Sequence, residues 1–189
     1  QPIKSPYYIN KADFVACHNP SYITKGYKMV QDVKPGGVFL INCQWSFEEL
    51  EHHLNAETKR YIAKHGVQLY TINAIDLAIQ VGMGKRTNTI LQSAFFSLAK
   101  VMPESEAIQY MKDAAEHSYL KKGRDVVEKN WKAIDAGATA YVKIDVPASW
   151  AEAVDAPTEE VLVGNPDTVK LVQSILTPVD KMDGDSLPV

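Results

Sequence analysis

The segment Gly82-Met83-Gly84-Lys85-Arg86-Thr87-Asn88 carries the best physical rationale for chemistry in this chain. Two glycines let the backbone approach a ligand, Lys85 and Arg86 supply positive charge, and a helix is predicted to begin at once, presenting unpaired N–H groups to an anion. Such a loop suits a phosphate. It nevertheless fails both standard phosphate patterns. A P-loop needs glycine at position 79 and Ser or Thr at 86, where Ile79 and Arg86 stand, and a dinucleotide fingerprint needs a third glycine where Thr87 stands. The competing reading is a helix–helix turn with a Thr or Asn cap. Asn130 is a second oddity, because it falls inside an apolar helical stripe of Val126, Val127, Trp131 and Ile134. A buried amide there must be hydrogen-bonded, either to neighbouring backbone or to a ligand. Lys121, Lys122 and Arg124 crowd the start of the same helix and read by default as a solvated cluster.

Other reactive types are less well arranged. Cys17-His18 invites a nucleophile or metal reading, but neighbours on a strand point to opposite faces, and His52-His53 diverge on a predicted helix. Metal ligation needs three or four partners, so a small buried hydrophobe is the better account of Cys17. Three predicted strands run into Cys17-His18-Asn19-Pro20, Asn42-Cys43-Gln44-Trp45 and Asn73-Ala74-Ile75-Asp76. An amide thus lies at each strand end, on the sheet edge where open α/β folds place ligands. Ordinary turn chemistry explains the same residues.

The elements that must hold these groups follow from apolar periodicity. Phe14-Val15-Ala16-Cys17, Val38-Phe39-Leu40-Ile41 and Val67-Gln68-Leu69-Tyr70-Thr71-Ile72 are short, apolar and bounded by turn residues, which predicts buried strands. The Lys34-Pro35-Gly36-Gly37 turn launches the second. Helices are predicted over Tyr22 to Gln31, Ser46 to Leu54 and Ala56 to Lys64, with a Ser46/Glu49 capping box, an Asn55 cap and a left-handed stop at Gly66. Strand–helix alternation of this kind predicts a three-layer α/β/α fold with a mostly parallel sheet. The later half reads as helices from Ile75 to Val81, Thr87 to Val101, Glu104 to Glu116 and Arg124 to Ala136. Ala140 to Ile144 alternates like a half-exposed strand or the start of a tail.

At 189 residues with 46% hydrophobic content, the chain can bury roughly 70% of its unfolded surface, with no need of a disulfide or metal staple. A net charge of −3 argues against sequence-blind binding to nucleic acid or to anionic membrane. No stretch approaches 18 uncharged apolar residues, so composition offers no transmembrane helix. The two cysteines, Cys17 and Cys43, are too few for a disulfide framework or a four-cysteine cluster site, and reduced thiols in a cytoplasm are expected. Gln1-Pro2-Ile3-Lys4 has neither an initiator Met nor the shape of a secretion signal, so the chain is expected to begin inside something larger. The charge is divided: residues 1–143 hold 18 basic and 14 acidic side chains, a net +4, whereas 144–189 hold 2 and 9, a net −7. Asp145 to Asp167 has six acids and no Lys or Arg and is expected to be an extended linker, followed by one short helix from Pro166 to Leu176.

The run from Lys11 to Pro20, the run from Lys34 to Asn42 and the segment Gly82 to Asn88 with Gln92-Ser93-Ala94-Phe95-Phe96 closely resemble the gamma domain of the pyruvate:ferredoxin (flavodoxin) oxidoreductase family. Ala115 to Tyr119, Lys121-Lys122-Gly123 and Val127 to Asn130 extend the resemblance over most of residues 2–150. It implies part of an enzyme that decarboxylates pyruvate oxidatively on thiamine diphosphate with magnesium, passes electrons through iron-sulfur clusters to ferredoxin or flavodoxin, and delivers acetyl to coenzyme A. In the family the thiamine and cluster chemistry belong to other domains, and the gamma domain binds coenzyme A. Two asparagines implicated there align with Asn88 and Asn130, and Lys85 and Arg86 are added here as partners of the anionic cofactor. The resemblance places neither a catalytic residue nor a metal ligand on this chain, which alone is expected to be inactive. It implies a gamma domain over residues 1–146 and a tail over 147–189 leading to the next domain. A glycine-rich strand-loop-helix and a later lysine- and glycine-rich segment of the family's domain are not in these residues, so the domain reads as N-terminally incomplete. The implied partners are the other domains or subunits of a homo-oligomeric parent. Two alternatives stand beside this: a purely structural scaffold domain of the same enzyme, and an independent nucleotide-binding α/β domain.

Overall fold

The computed structural model describes residues 9–155, 162–181 and 183–187. Its sheet is built from β1 (Ala12–Cys17), β2 (Val33–Asn42), β3 (Gln68–Ile72) and β4 (Val142–Lys143), in that spatial order. The first three are parallel; β4 pairs antiparallel with β3, with Tyr70 opposite Lys143. Side chains on a strand alternate between faces, so the sheet divides the apolar residues into two cores. Cys17, Phe39, Ile41 and Leu69 face one; Phe14, Ala16, Leu40, Tyr70 and Ile72 face the other.

The first core is covered by the crossovers between the parallel strands. These are α1 (Ser21–Thr24), the 3-10 turn Met29–Asp32, α2 (Phe47–His53) and α3 (Ala56–Lys64). The predicted caps are present: Ser46 and Glu49 form a reciprocal capping box on α2, Asn55 caps α3, and Gly66 takes φ +60° after it. The second core is covered by α4 (Ala74–Gln80), α5 (Asn88–Ala99) and α7 (Arg124–Thr139). Between the last two in sequence comes α6 (Glu104–Tyr119), which packs outside them through Met111 and Ala115 against Ile134 of α7. The layering is the expected α/β/α arrangement with a mostly parallel sheet.

Four local expectations are corrected. The helix expected over Tyr22 to Gln31 is two short pieces, because Gly26 at φ +74° turns the chain between them. Lys34 to Gly37 is part of β2 rather than a turn before it; Gly36 N–H reaches the His65 carbonyl at 2.9 Å. The helix expected to stop at Leu176 continues as a π-helical turn, Val172–Leu176, into α9 (Thr177–Asp180), after α8 (Pro166–Leu171). Pro178 in α9 has no N–H to donate and its ring crowds the preceding turn, and a widened π turn accommodates it.

The acidic segment is also not a free linker over its first half. A 3-10 turn, Ala148–Glu152, drops Trp150 into the first core at 2% exposure, and its indole N–H donates to Glu51 Oε1 at 2.8 Å. Asp155 Oδ1 accepts from the Ala56 N–H at 2.6 Å, which straps the segment to the start of α3. Residues 156–161 of the expected linker, and Gln1 to Ser5, lie outside the described residues.

Candidate functional site

The turn before α5 is built by the end of α4. Gly82 N–H donates to the Ile79 carbonyl and Met83 N–H to the Ala78 carbonyl, the pattern of a helix closed by a left-handed residue, and Gly82 sits at φ +78°. Met83, 4% exposed, anchors the turn in the second core, which leaves Lys85 and Arg86 outside in solvent. Arg86 Nε–H donates to the Met83 carbonyl at 3.2 Å, and among the described residues neither cation forms an ion pair. Thr87 is the N-cap residue of α5, but its side chain makes no capping bond. The first helical bond runs from Leu91 N–H to the Thr87 carbonyl, so the N–H groups of Asn88, Thr89 and Ile90 lie ahead of it at the positive end of the helix.

Helix α7 is pressed against α5 by a close approach. A Cβ on Gly137 would lie 2.3 Å from the Ile90 carbonyl oxygen and 2.9 Å from Ser93 Cβ, so only glycine allows the crossing. Ser93 Oγ–H donates to the Ile134 carbonyl at 2.6 Å and fixes the register. Two turns earlier on α7, this brings buried Asn130 to the start of α5. Its Nδ2 donates to the Val126 carbonyl at 2.8 Å; Thr89 Oγ–H reaches its Oδ1 at only 3.5 Å, the outer limit of a hydrogen bond. The amide oxygen therefore keeps capacity to accept from a ligand.

Asn88 and Asn130, 42 positions apart, line one cleft of about 330 Å³ between α5, α6 and α7. Thr89, Gln92 and Ser118 join them at its polar end, whereas Phe96, Met102, Tyr110 and Met111 line the other. Lys129, next to Asn130, was not singled out by sequence. Its stem lies over the Gly82 turn, with Cε 3.5 Å from where a Gly82 Cβ would stand, and its Nζ is 3.7 Å from Asp125. The available signal was its i, i+4 spacing from Asp125 and its place next to Asn130 in the chain. Gln92 was equally readable, one turn beyond Asn88. The cluster at the start of α7 is committed locally: Lys122 lies over the Tyr119 ring, and Arg124 stacks on Trp131 and pairs with Glu116.

The sheet edge is different. Asn42 Nδ2 donates to the His18 carbonyl and its Oδ1 accepts from Ala74 N–H, each at 3.0 Å. Asn73 caps α4 and donates to Asp76, which also accepts from Gln44 at 2.7 Å. Asn19 accepts from Ser21 N–H. Turn and cap chemistry thus occupies every strand-end amide. Burial in the first core pushes the Cys17 thiol from 9.0 to about 11 and the Cys43 thiol upward as well, which keeps both protonated and poor as nucleophiles. His52 and His53 lie on α2, His53 stacked on Trp45, and no group of three or more His, Cys, Asp or Glu among the described residues is arranged to hold a metal.

A family profile described as pyruvate ferredoxin/flavodoxin oxidoreductase matches residues 1–140. The chain belongs to that family. Family relatives include the pyruvate:ferredoxin oxidoreductase of Moorella thermoacetica, 43% identical over 189 residues, and the pyruvate-flavodoxin oxidoreductase of Enterobacter agglomerans, 43% identical over 188. Each match covers 100% of this chain but 16% of the relative, so the family member described here spans about a sixth of those proteins. A solved structure of pyruvate oxidoreductase subunit PORC from Thermotoga maritima shares the fold, with a TM-score of 0.57 at 15% identity over 72% of this chain and 67% of that one. Among the described residues no helix is long and apolar enough to cross a membrane.

Proposed function

We propose that this chain is the coenzyme A-binding part of a pyruvate:ferredoxin or pyruvate:flavodoxin oxidoreductase, and that the cleft at the start of α5 is where the cofactor docks. One observation carries the reading: Asn88 and Asn130, far apart in sequence, meet in a single cleft at the start of the helix that the exposed Lys85 and Arg86 precede in the chain, although neither cation lines the cleft. The residues suit the cofactor. Two amides and a helix N-terminus offer neutral, directional hydrogen bonds, and three lysine or arginine side chains at the Gly82 turn offer charge to its phosphates.

Thiamine and iron-sulfur chemistry, with magnesium, is assigned to other parts of the parent protein. The two cysteines are buried in the sheet core and out of reach as cluster ligands. Residues 1–146 are the cofactor-binding domain and 147–189 lead to the next one, with Trp150 strapping the junction. The partners are the remaining domains of a homo-oligomeric parent and, through it, ferredoxin or flavodoxin in the cytoplasm. Asn88→Ala and Asn130→Ala in the full-length protein are expected to raise the KM for coenzyme A about tenfold and leave the KM for pyruvate unchanged. An unchanged KM for coenzyme A in both variants supports a scaffold role instead.

A further inference from the structure

We propose that the amphipathic helix formed by α8, the π turn and α9 docks in an apolar groove with a basic rim on another domain of the parent protein. This uses the family membership of the chain and is independent of the coenzyme A reading. From Pro166 to Asp180 the three pieces follow one another without a break. At helical spacing Val169, Leu171, Val172, Ile175, Leu176 and Val179 lie on one half of the surface, and Lys170, Gln173, Ser174 and Thr177 on the other. An apolar half of that width belongs against a core.

The body of this chain does not supply one. No residue of the three pieces is buried, and Leu171, Leu176 and Val179 are each about half exposed. Among the described residues the hydrogen bonds of the segment stay within 165–187, and it forms no ion pair. The residues just before it behave oppositely: Trp150 is buried and Asp155 is bonded to the start of α3. The body takes up the tail as far as Asp155 and leaves the helix bare.

Length and charge indicate what covers it. A helix this short is marginal alone in water, so packing must hold it. Pairing with the same helix of a second copy offers roughly two heptads, fewer than a coiled coil sustains. The match covers 16% of the Moorella thermoacetica relative, so the parent carries far more surface outside this chain than within it. Ten residues separate Asp155 from Pro166, a tether of at most about 40 Å, which places the groove within that reach of the start of α3. Asp180 stands in the last turn, which has no basic residue, and Asp183 and Asp185 follow. Carboxylates at the negative end of a helix are unfavourable by themselves, and Lys or Arg on the groove's rim makes that end attractive.

Hydrogen exchange on the full-length protein tests the docking. Amides from Val172 to Val179 are expected to be protected beyond an exposed helix. Leu176→Gln, which keeps helix propensity, is expected to lower that protection about tenfold with β2 unchanged, whereas Gln173→Ala on the opposite half leaves it intact. Asp180→Asn reads the rim by sign: losing a basic partner lowers protection, and relief of repulsion raises it. A fall is expected. A photoreactive phenylalanine analogue at position 176 then identifies the occupant, expected to be a peptide outside residues 1–189 that contains Lys or Arg. A cross-link within residues 9–155 places the helix on its own domain, and one to residues 166–180 of another copy shows self-pairing; each overturns the proposal. So do the absence of any cross-link, unprotected amides in the wild type, equal exchange in Leu176→Gln and Gln173→Ala, and protection that holds or rises in Asp180→Asn.

Discussion

The carboxyl edge of the sheet and the start of α5 both carry amides that could bind a ligand, and they differ in what those amides already do. At the sheet edge Asn42 ties β1 to α4, and Asn73, Gln44 and Asp76 complete one another's bonds. At the start of α5, Asn88 is exposed, Asn130 has spare accepting capacity, and Lys85 has no carboxylate partner among the described residues. A satisfied polar group is scaffold, whereas an available one can bind. The usual rule for open α/β folds points to the sheet edge; the hydrogen-bond accounting points to the helices.

That contrast can be broken first at Asn42. Asn42→Leu leaves the Ala74 N–H and the His18 carbonyl without their partner, which is expected to cost about 2–4 kcal/mol in a urea melt while the folded protein keeps its affinity for coenzyme A. A loss of affinity larger than the loss of stability places the ligand at the sheet edge instead. Gly137→Ala attacks the other region from behind. Its Cβ collides with the Ile90 carbonyl, so α7 must lift from α5; a cost of about 1–3 kcal/mol is expected, together with weaker coenzyme A binding though no ligand contact is removed. Retained affinity here means that the crossing does not position the site.

The buried thiols sharpen the same comparison through pH. Each holds its proton more tightly folded than unfolded, so its contribution is fully present below the ordinary thiol value of 9.0 and is lost as pH rises toward about 11 for Cys17. Melting temperatures are expected to fall across that window, and Cys17→Ala to flatten the fall. Smallest in stability is Lys85→Gln, an exposed change expected to shift unfolding by less than about 0.5 kcal/mol. Its signature is instead a weaker dependence of coenzyme A affinity on salt, read by titration at two ionic strengths.

Much of this was legible in the chain. The three apolar runs became the parallel strands, and the Ser46, Asn55 and Gly66 signals sit at real helix ends, because local rules govern them. The helix expected through Gly26 failed because the apolar stripe was read across a residue that the fold uses at positive φ. Trp150 carries its own signal, since a large apolar ring in an acidic stretch, three residues after Pro147, seldom stays in water. Asn130 was readable as a polar residue in an apolar helical stripe, and Lys85, Arg86 and Asn88 as a glycine-rich basic turn running into a helix start. The walls supplied by Phe96, Met102 and Tyr110 were not, since only the return of α6 alongside α5 brings them together.

The most direct test of the available-amide account is calorimetric titration of coenzyme A into full-length wild-type, Asn88→Ala and Asn42→Leu proteins at low salt. The account predicts about tenfold weaker binding for Asn88→Ala at an unchanged melting temperature, and wild-type binding by the folded fraction of Asn42→Leu. Wild-type affinity in Asn88→Ala with weakened binding in Asn42→Leu contradicts it.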